Sequence, residues 1–364
     1  MVFELNFNRP EAITGRYFYQ KYKMDLPLNG AMDGKALILK EGTDNLNDSP
    51  RPTLMLQPDG YSGWQGSWTD TQGKILPLHL MPVSLLPSQN GTYLDRLLQN
   101  DPYEYLRVSD LPLVPGKIQT FMGYKLQWWH EPQSKIALFT LVSGFPDAQL
   151  ALLNNQLKAR MMQEVINYHS CMLSASRFSK AVFKQTVTPE FISSAVISAK
   201  VITEYDCGGA HPDMSDSSLN LNAQTGKHLA LEDVFWVGKE KPFHYSYGAE
   251  SDLYNGNRDN KEANNVSFET YLSYREKRFA SSLISTLNLL YPDKMQKNRR
   301  DNDCDYRDDE IWYYPNWYFT PKGLMVVPAF ARAMRVCENI SWSVLPWNYI
   351  EQHPGGVALV LPKQ

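Results

Sequence analysis

Several kinds of chemistry are missing from this chain of 364 residues. Its four cysteines include no Cys-x-x-Cys pair, which excludes zinc ribbons and thioredoxin-like redox sites. There is no Gly-x-Ser-x-Gly elbow, no His-Glu-x-x-His helix, no Walker A loop and no Ser-x-x-Lys pair, so the readily recognised hydrolase and nucleotide-binding signatures are absent. The seven histidines show no His-x-His ligand spacing, and neither a metal nor a cofactor is implied. No run of 18 apolar residues exists to span a bilayer. The net charge of −3 gives no electrostatic case for nucleic acid or an anionic membrane surface, both of which want a basic patch.

What is present is a chain able to bury a core. Hydrophobic residues make up 43% and charged residues 21%, and the length suits two domains of ordinary size. Aromatics reach 12%, which suits β-rich structure and exposed recognition surfaces equally. Cys171, Cys207, Cys304 and Cys337 are even in number and widely spaced, and two disulfides in an oxidising compartment are expected. Of the three connectivities, the most local pairs Cys171 with Cys207 and Cys304 with Cys337. No signal peptide is visible at Met1-Val2-Phe3-Glu4, a start that is compatible with removal of an export signal or lipid anchor.

The expected fold class is α+β: a small all-β meander over residues 1–115, then an antiparallel sheet packed with two main helices over 116–364. In the first part Gly15–Tyr22 alternates around aromatics as a half-buried strand does, and Ala36–Glu41 reads as another strand. Met24–Gly34 supplies a short edge strand and two turns. Thr53–Leu56 and Ser62–Trp68 form a hairpin across Asp59-Gly60, and Leu76–Leu80 follows. Residues 86–116, rich in Pro, Asn and Asp, read as a linker with a short helix at 92–99. In the second part Ile118–Trp129 reads as one strand pairing with Lys135–Val142. A helix spans about Pro146–Ser174, with Leu150, Leu153, Leu157, Met161 and Val165 on its inner face. Thr186–Tyr205 gives two strands broken near Thr188-Pro189, and Leu219–Asn222 another. Residues 237–264 form a polar surface excursion. A second helix starts at Ser267 and runs to Tyr291. Ile311–Thr320, Gly323–Ala329 and Trp342–Pro346 finish as strands.

The chemical candidates are few. Asp301-Asn-Asp-Cys-Asp305 resembles the start of an EF-hand. Tyr306 and Trp312 occupy the places of its required Gly and Glu, so a solvated loop is expected. His211, in the turn Gly208-Gly-Ala-His-Pro212, could ligate a metal or act as a base oriented by Asp206 or Asp213. The alternative is that its ring holds the turn by bonding loop backbone. The run Ile311–Phe319 is the leading recognition candidate: as a strand it would bury one set of side chains and expose another, with Trp312, Tyr314 and Trp317 as anchors. Asn90, Asn265 and Asn339 begin glycosylation sequons.

Gly208-Gly-Ala-His-Pro212, Asn220-Leu-Asn-Ala-Gln-Thr-Gly-Lys227, Leu229–Phe235, Phe319–Leu324 and Val344–Ile350 occur in an order that resembles one bacterial family. This is the extracytoplasmic domain shared by the lysozyme-sensing anti-sigma factor RsiV and the non-catalytic part of the peptidoglycan deacetylase PdaC. The resemblance covers about residues 118–350. It implies a periplasmic or other extracytoplasmic envelope protein, lipid-anchored or not, that binds without turnover. The implied partner is a lysozyme or another cell-wall hydrolase, with peptidoglycan glycan contacts and an immunity role among the expectations. Loops 206–217 and 237–264 would supply shape, and acidic loop 301–310 would suit a basic partner. Two other readings are a peptidoglycan hydrolase or deacetylase using His211, and a structural envelope module.

Overall fold

The computed structural model describes residues 1–42, 49–86, 92–175, 181–245, 265–296 and 304–362. It is α+β, with four antiparallel sheets and seven helices among those residues.

Strands β1 (Val2–Asn6), β2 (Ile13–Phe18), β3 (Asp25–Asp33), β4 (Ala36–Glu41), β5 (Thr53–Pro58), β6 (Trp64–Thr69) and β7 (Ile75–Leu80) each pair with their sequence neighbours. Alternation sends Leu37 and Leu39 inward opposite Leu56 and Leu54, and Ile13, Tyr17 and Leu28 complete this core. The sheet curls where backbones close in. A Cβ on Gly30 would lie 1.9 Å from the Ile38 carbonyl oxygen, and one on Gly66 would lie 2.0 Å from that of Met55. The expectation of a short edge strand at Met24–Gly34 is corrected: β3 is a nine-residue interior strand. Pro27 is tolerated because the ladder to β4 starts one residue later, at Leu28.

The Pro- and Asn-rich segment holds two helices, α1 (Tyr93–Asn100) and α2 (Pro102–Val108). Thr92 and Asp95 form a capping box for α1, and Asp101 caps α2 with Pro102 in its first turn. Tyr93, Leu97 and Val108 enter the core of the following layer, while Tyr103 packs edge-on against Phe18 of β2.

That layer begins with β8 (Val114–Phe121), β9 (Tyr124–His130) and β10 (Ala137–Ser143). The single strand expected at Ile118–Trp129 is two: Met122 and Gly123, both at positive φ, make a hairpin turn. Helix α3 (Asp147–Ala175) buries the expected Leu153, Leu157, Met161 and Val165. Strands β11 (Val182–Ile192), β12 (Val196–Asp206), β13 (Asp213–Asp216) and β14 (Leu219–Asn222) follow. The break expected at Thr188-Pro189 is instead a bulge on edge strand β11, where a proline's missing N–H is harmless. The chain turns at 193–195.

Helix α4 (Leu231–Val234) is a single turn, and α5 (Phe268–Tyr274) runs through a π-helical stretch, Arg275–Ala280, into α6 (Ser281–Leu290). Ser267 caps it as expected, accepting from the Thr270 amide. β15 (Asn316–Thr320), β16 (Gly323–Val327), β17 (Val344–Pro346) and α7 (Trp347–Gln352) close the chain. Their core gathers Phe235, Phe279, Leu283, Trp312, Phe319 and Trp347. A buried polar link joins the last two sheets. Ser198 Oγ accepts from the Phe319 amide at 3.0 Å and donates to Asn220 Oδ1 at 2.6 Å, and Asn220 Nδ2 donates to the Trp317 carbonyl at 2.9 Å.

Two disulfides are formed, Cys171–Cys207 between α3 and the end of β12, and Cys304–Cys337. They fit an extracellular or otherwise oxidising compartment. No helix among the described residues is long and apolar enough to cross a membrane. Replacing Cys171 and Cys207 together by serine opens a link spanning 36 residues. The expected loss is about 3 kcal/mol, read as a lower urea midpoint.

Candidate functional site

Strands β12 and β13 form a ribbon whose end carries the glycine-rich turn. Asp206 Oδ1 accepts from the Gly208 amide at 3.2 Å, and Gly208 itself takes positive φ, which explains a glycine there. From the other side Arg332 donates to the carbonyls of His211 and Pro212, and Arg335 donates to that of Met214. Asp213 Oδ1 meets Arg335 Nε at 3.2 Å, and its Oδ2 lies 3.9 Å from Arg332 Nε. With Cys207 bonded to Cys171, the turn is held by a covalent link, a side-chain cap and two guanidinium groups.

The His211 side chain is exposed, and its carbonyl accepts from Arg332. The two carboxylates expected to orient the ring are committed elsewhere, Asp206 to the Gly208 amide and Asp213 to the two arginines. A base and its orienter are therefore not assembled. Among the described residues no group of three or more His, Cys, Asp or Glu is placed to hold a metal ion.

The ribbon has two faces, because paired residues point the same way and successive ones alternate. Lys200, Ile202 and Asp216 share one face, with Glu190 of β11, Tyr318 of β15 and Glu338 nearby. Lys200 Nζ lies 4.0 Å from Asp216 Oδ2 and 5.6 Å from the Tyr318 ring centre. Burial raises the pKa of the Glu190, Asp216 and Glu338 carboxyls, and repulsion from Asp216 adds to the rise at Glu190 and Glu338. Burial likewise raises the Tyr318 phenol. The opposite face carries Phe183, Thr203, Tyr205 and Ser215 towards α3.

The aromatic run is not one strand. Glu310–Trp312 is a 3-10 turn and Pro315 interrupts the run, so alternation starts only at Asn316. Trp312 is fully buried, its indole donating to the Tyr306 carbonyl at 2.9 Å, which corrects its expected place in an exposed patch. Trp317 is half-buried and edge-on to Phe319. Tyr314 is exposed and lies 6.2 Å from the Tyr271 ring. These three belong to surroundings different from those of His211, Asp206 and Asp213.

Of the other expected elements, residues 246–264, Asn90, Asp301 and Asp303 lie outside the described residues, and Asp305 pairs with Arg307 at 3.4 Å. Sequence reasoning missed Lys200, Asp216, Arg332, Arg335 and Glu338. The available signal was the i, i+3 pair Arg332 and Arg335, which faces two cations the same way along one helical turn. No protein-family model matches the chain, and no curated protein matches it.

Proposed function

We propose that this chain is a non-enzymatic binding protein of the bacterial envelope, periplasmic or lipid-anchored, whose partner is a lysozyme or another peptidoglycan-cleaving enzyme. An immunity role against a secreted cell-wall hydrolase falls within the same reading. The observation that carries it is the turn 208–212, which is exposed at its tip and fixed at its base by Cys171–Cys207, Asp206, Arg332 and Arg335. A projection ordered before binding loses little entropy when it enters a cleft. The order of short motifs, which resembles that of the RsiV and PdaC domain, supports the class of partner, and the two disulfides suit the compartment. The commitment of Asp206 and Asp213 to other partners weighs against a hydrolase or deacetylase built on His211.

Calorimetry against an animal and a bacterial lysozyme tests the proposal. Binding is expected with at least one of them. Arg332→Ala, which removes the hold on the His211 and Pro212 carbonyls and loosens the tip of the turn, is expected to weaken it about tenfold, since reordering the tip on binding costs about one or two kcal/mol. No heat with either lysozyme at high micromolar concentration would sink the proposal.

A further inference from the structure

The inner face of the β12–β13 ribbon forms an open cleft of about 390 Å³ against α3. Its wall on the helix side is polar: Asn167, Ser170 and Ser174 stand about one turn apart along α3. The ribbon side adds the hydroxyls of Thr203, Ser215 and Ser217. Phe183 and Tyr205 are directly paired across β11 and β12, so their rings stand side by side on this face.

Charge in the cleft is spent internally. Glu164, the one acid of the lining among the described residues, is buried and accepts from Arg160 Nε at 2.6 Å. The same guanidinium donates to Ser217 Oγ at 2.6 Å and to the Ser217 carbonyl at 3.0 Å. Among the described residues, the lining includes no cation to hold a carboxylate or phosphate. Cys171–Cys207 joins the two walls and sets their separation before any ligand arrives.

We propose that this cleft binds a short neutral saccharide. The pair Phe183 and Tyr205 offers flat apolar surface to the C–H face of a pyranose ring, and Ser170, Ser174 and Ser215 meet its rim of hydroxyls, while Asn167, Thr203 and Ser217 are bonded within the protein to Gln163 and Glu164, to Gln185 and to Arg160. For an envelope protein the matching source is the N-acetylated glycan of the cell wall. That choice of sugar rests on the reading above, whereas the neutral-saccharide chemistry comes from the cleft itself.

Saturation-transfer NMR and calorimetry on the full chain provide the test, with chitotriose, maltotriose and a uronic-acid oligomer as probes. Chitotriose is expected to bind and the uronate is not. Tyr205→Ala is expected to weaken binding about tenfold, the scale of one lost ring contact. Ser170→Trp, at an exposed helix position, fills the cleft and removes binding, with circular dichroism confirming the fold. Silence with both neutral sugars at millimolar concentration overturns the proposal, as does binding of the uronate alone or binding that survives Ser170→Trp. Lysozyme binding is measured on the same variants. Sugar binding without lysozyme binding leaves the cleft standing and removes the partner, and the reverse result removes the cleft alone.

Discussion

Acidification from pH 6.5 to about 3 is expected to remove about 4–5 kcal/mol of stability through His169 alone. His169 sits on α3 at 2% exposure, and its Nδ1 has no hydrogen-bond partner. Burial lowers its pKa from 6.5 to about 3, and the nearby charges of Arg107 and Lys23 push the same way. The unfolded chain takes up a proton on this ring below pH 6.5, while the folded chain stays neutral until about pH 3. Protonation therefore favours unfolding across that window. The contribution is fully present above pH 6.5, falls as pH drops, and levels off below 3. Raised carboxyl groups such as Glu104 and Asp216 act in the opposite sense, so the net curve alone does not isolate the histidine. The difference between wild type and His169→Gln does. Urea midpoints measured from pH 7 to 3.5 should converge by several kcal/mol as pH falls, the glutamine variant keeping its stability better. Parallel curves for the two proteins would refute the assignment.

Arg107→Met is expected to destabilise the fold by about 3–5 kcal/mol, the scale for breaking a buried ion pair from one side. Arg107 is fully buried on α2. Its Nε donates to Glu104 at 2.7 Å, and its Nη2 reaches both oxygens of Asp25 on β3 at 2.7 and 2.8 Å. Nη1 donates to the Lys23 carbonyl, and the guanidinium lies 4.5 Å from the Phe18 ring centre. Arg16 bridges Glu104 at 3.0 Å, and the Tyr103 hydroxyl donates to Asp25 at 2.5 Å. Methionine fills most of the space but leaves two carboxylates in a dry site with one cation between them. Arg107→Lys, which keeps the charge and loses the forked geometry, should fall between wild type and methionine. The triple variant Asp25→Asn, Glu104→Gln, Arg107→Met removes the stranded charges and should recover much of the loss. A triple variant no more stable than Arg107→Met would show that the penalty lies in packing.

Local chemistry made the regular elements legible. Ala36–Glu41 was readable to the residue because the apolar run Ala36–Leu39 follows the Asp33-Gly34 turn and closes on Lys40 and Glu41. Helix α3 announced itself through leucines at helical spacing, and α5 through Ser267. The failures occurred where backbone conformation or distant partners decide. Met122-Gly123 turns the chain although methionine is not a turn residue, and Pro189 bulges a strand that it was expected to break. Strand β13 was hidden because Asp213–Asp216 has one apolar residue, Met214, among three polar ones, and pairing with β12 supplies its reason to extend. Trp312 looked like a surface anchor because a run of aromatics was read with one period from end to end. At the site, Gly208–Asp213 stood out at once, but its grip comes from Arg332 and Arg335, some 120 positions away in sequence. The cleft was half legible. Asn167, Ser170 and Ser174 form a polar stripe on α3, whereas the strands that make it a cleft arrive from elsewhere.

Nearest-neighbour order in the seven-stranded sheet bears on how quickly its parts assemble. Each pairing from β1 to β7 closes a short loop, so these contacts have low contact order and can form one after another without a large search. The bond from the Phe319 amide to Ser198 must instead join positions 121 residues apart. The meander should therefore gain hydrogen-exchange protection first in a refolding time course, with amides around Ser198, Asn220 and Phe319 protected last. Until α2 docks, Asp25 waits at the meander's edge in water, which places the closing of the Arg107 cluster between those two phases.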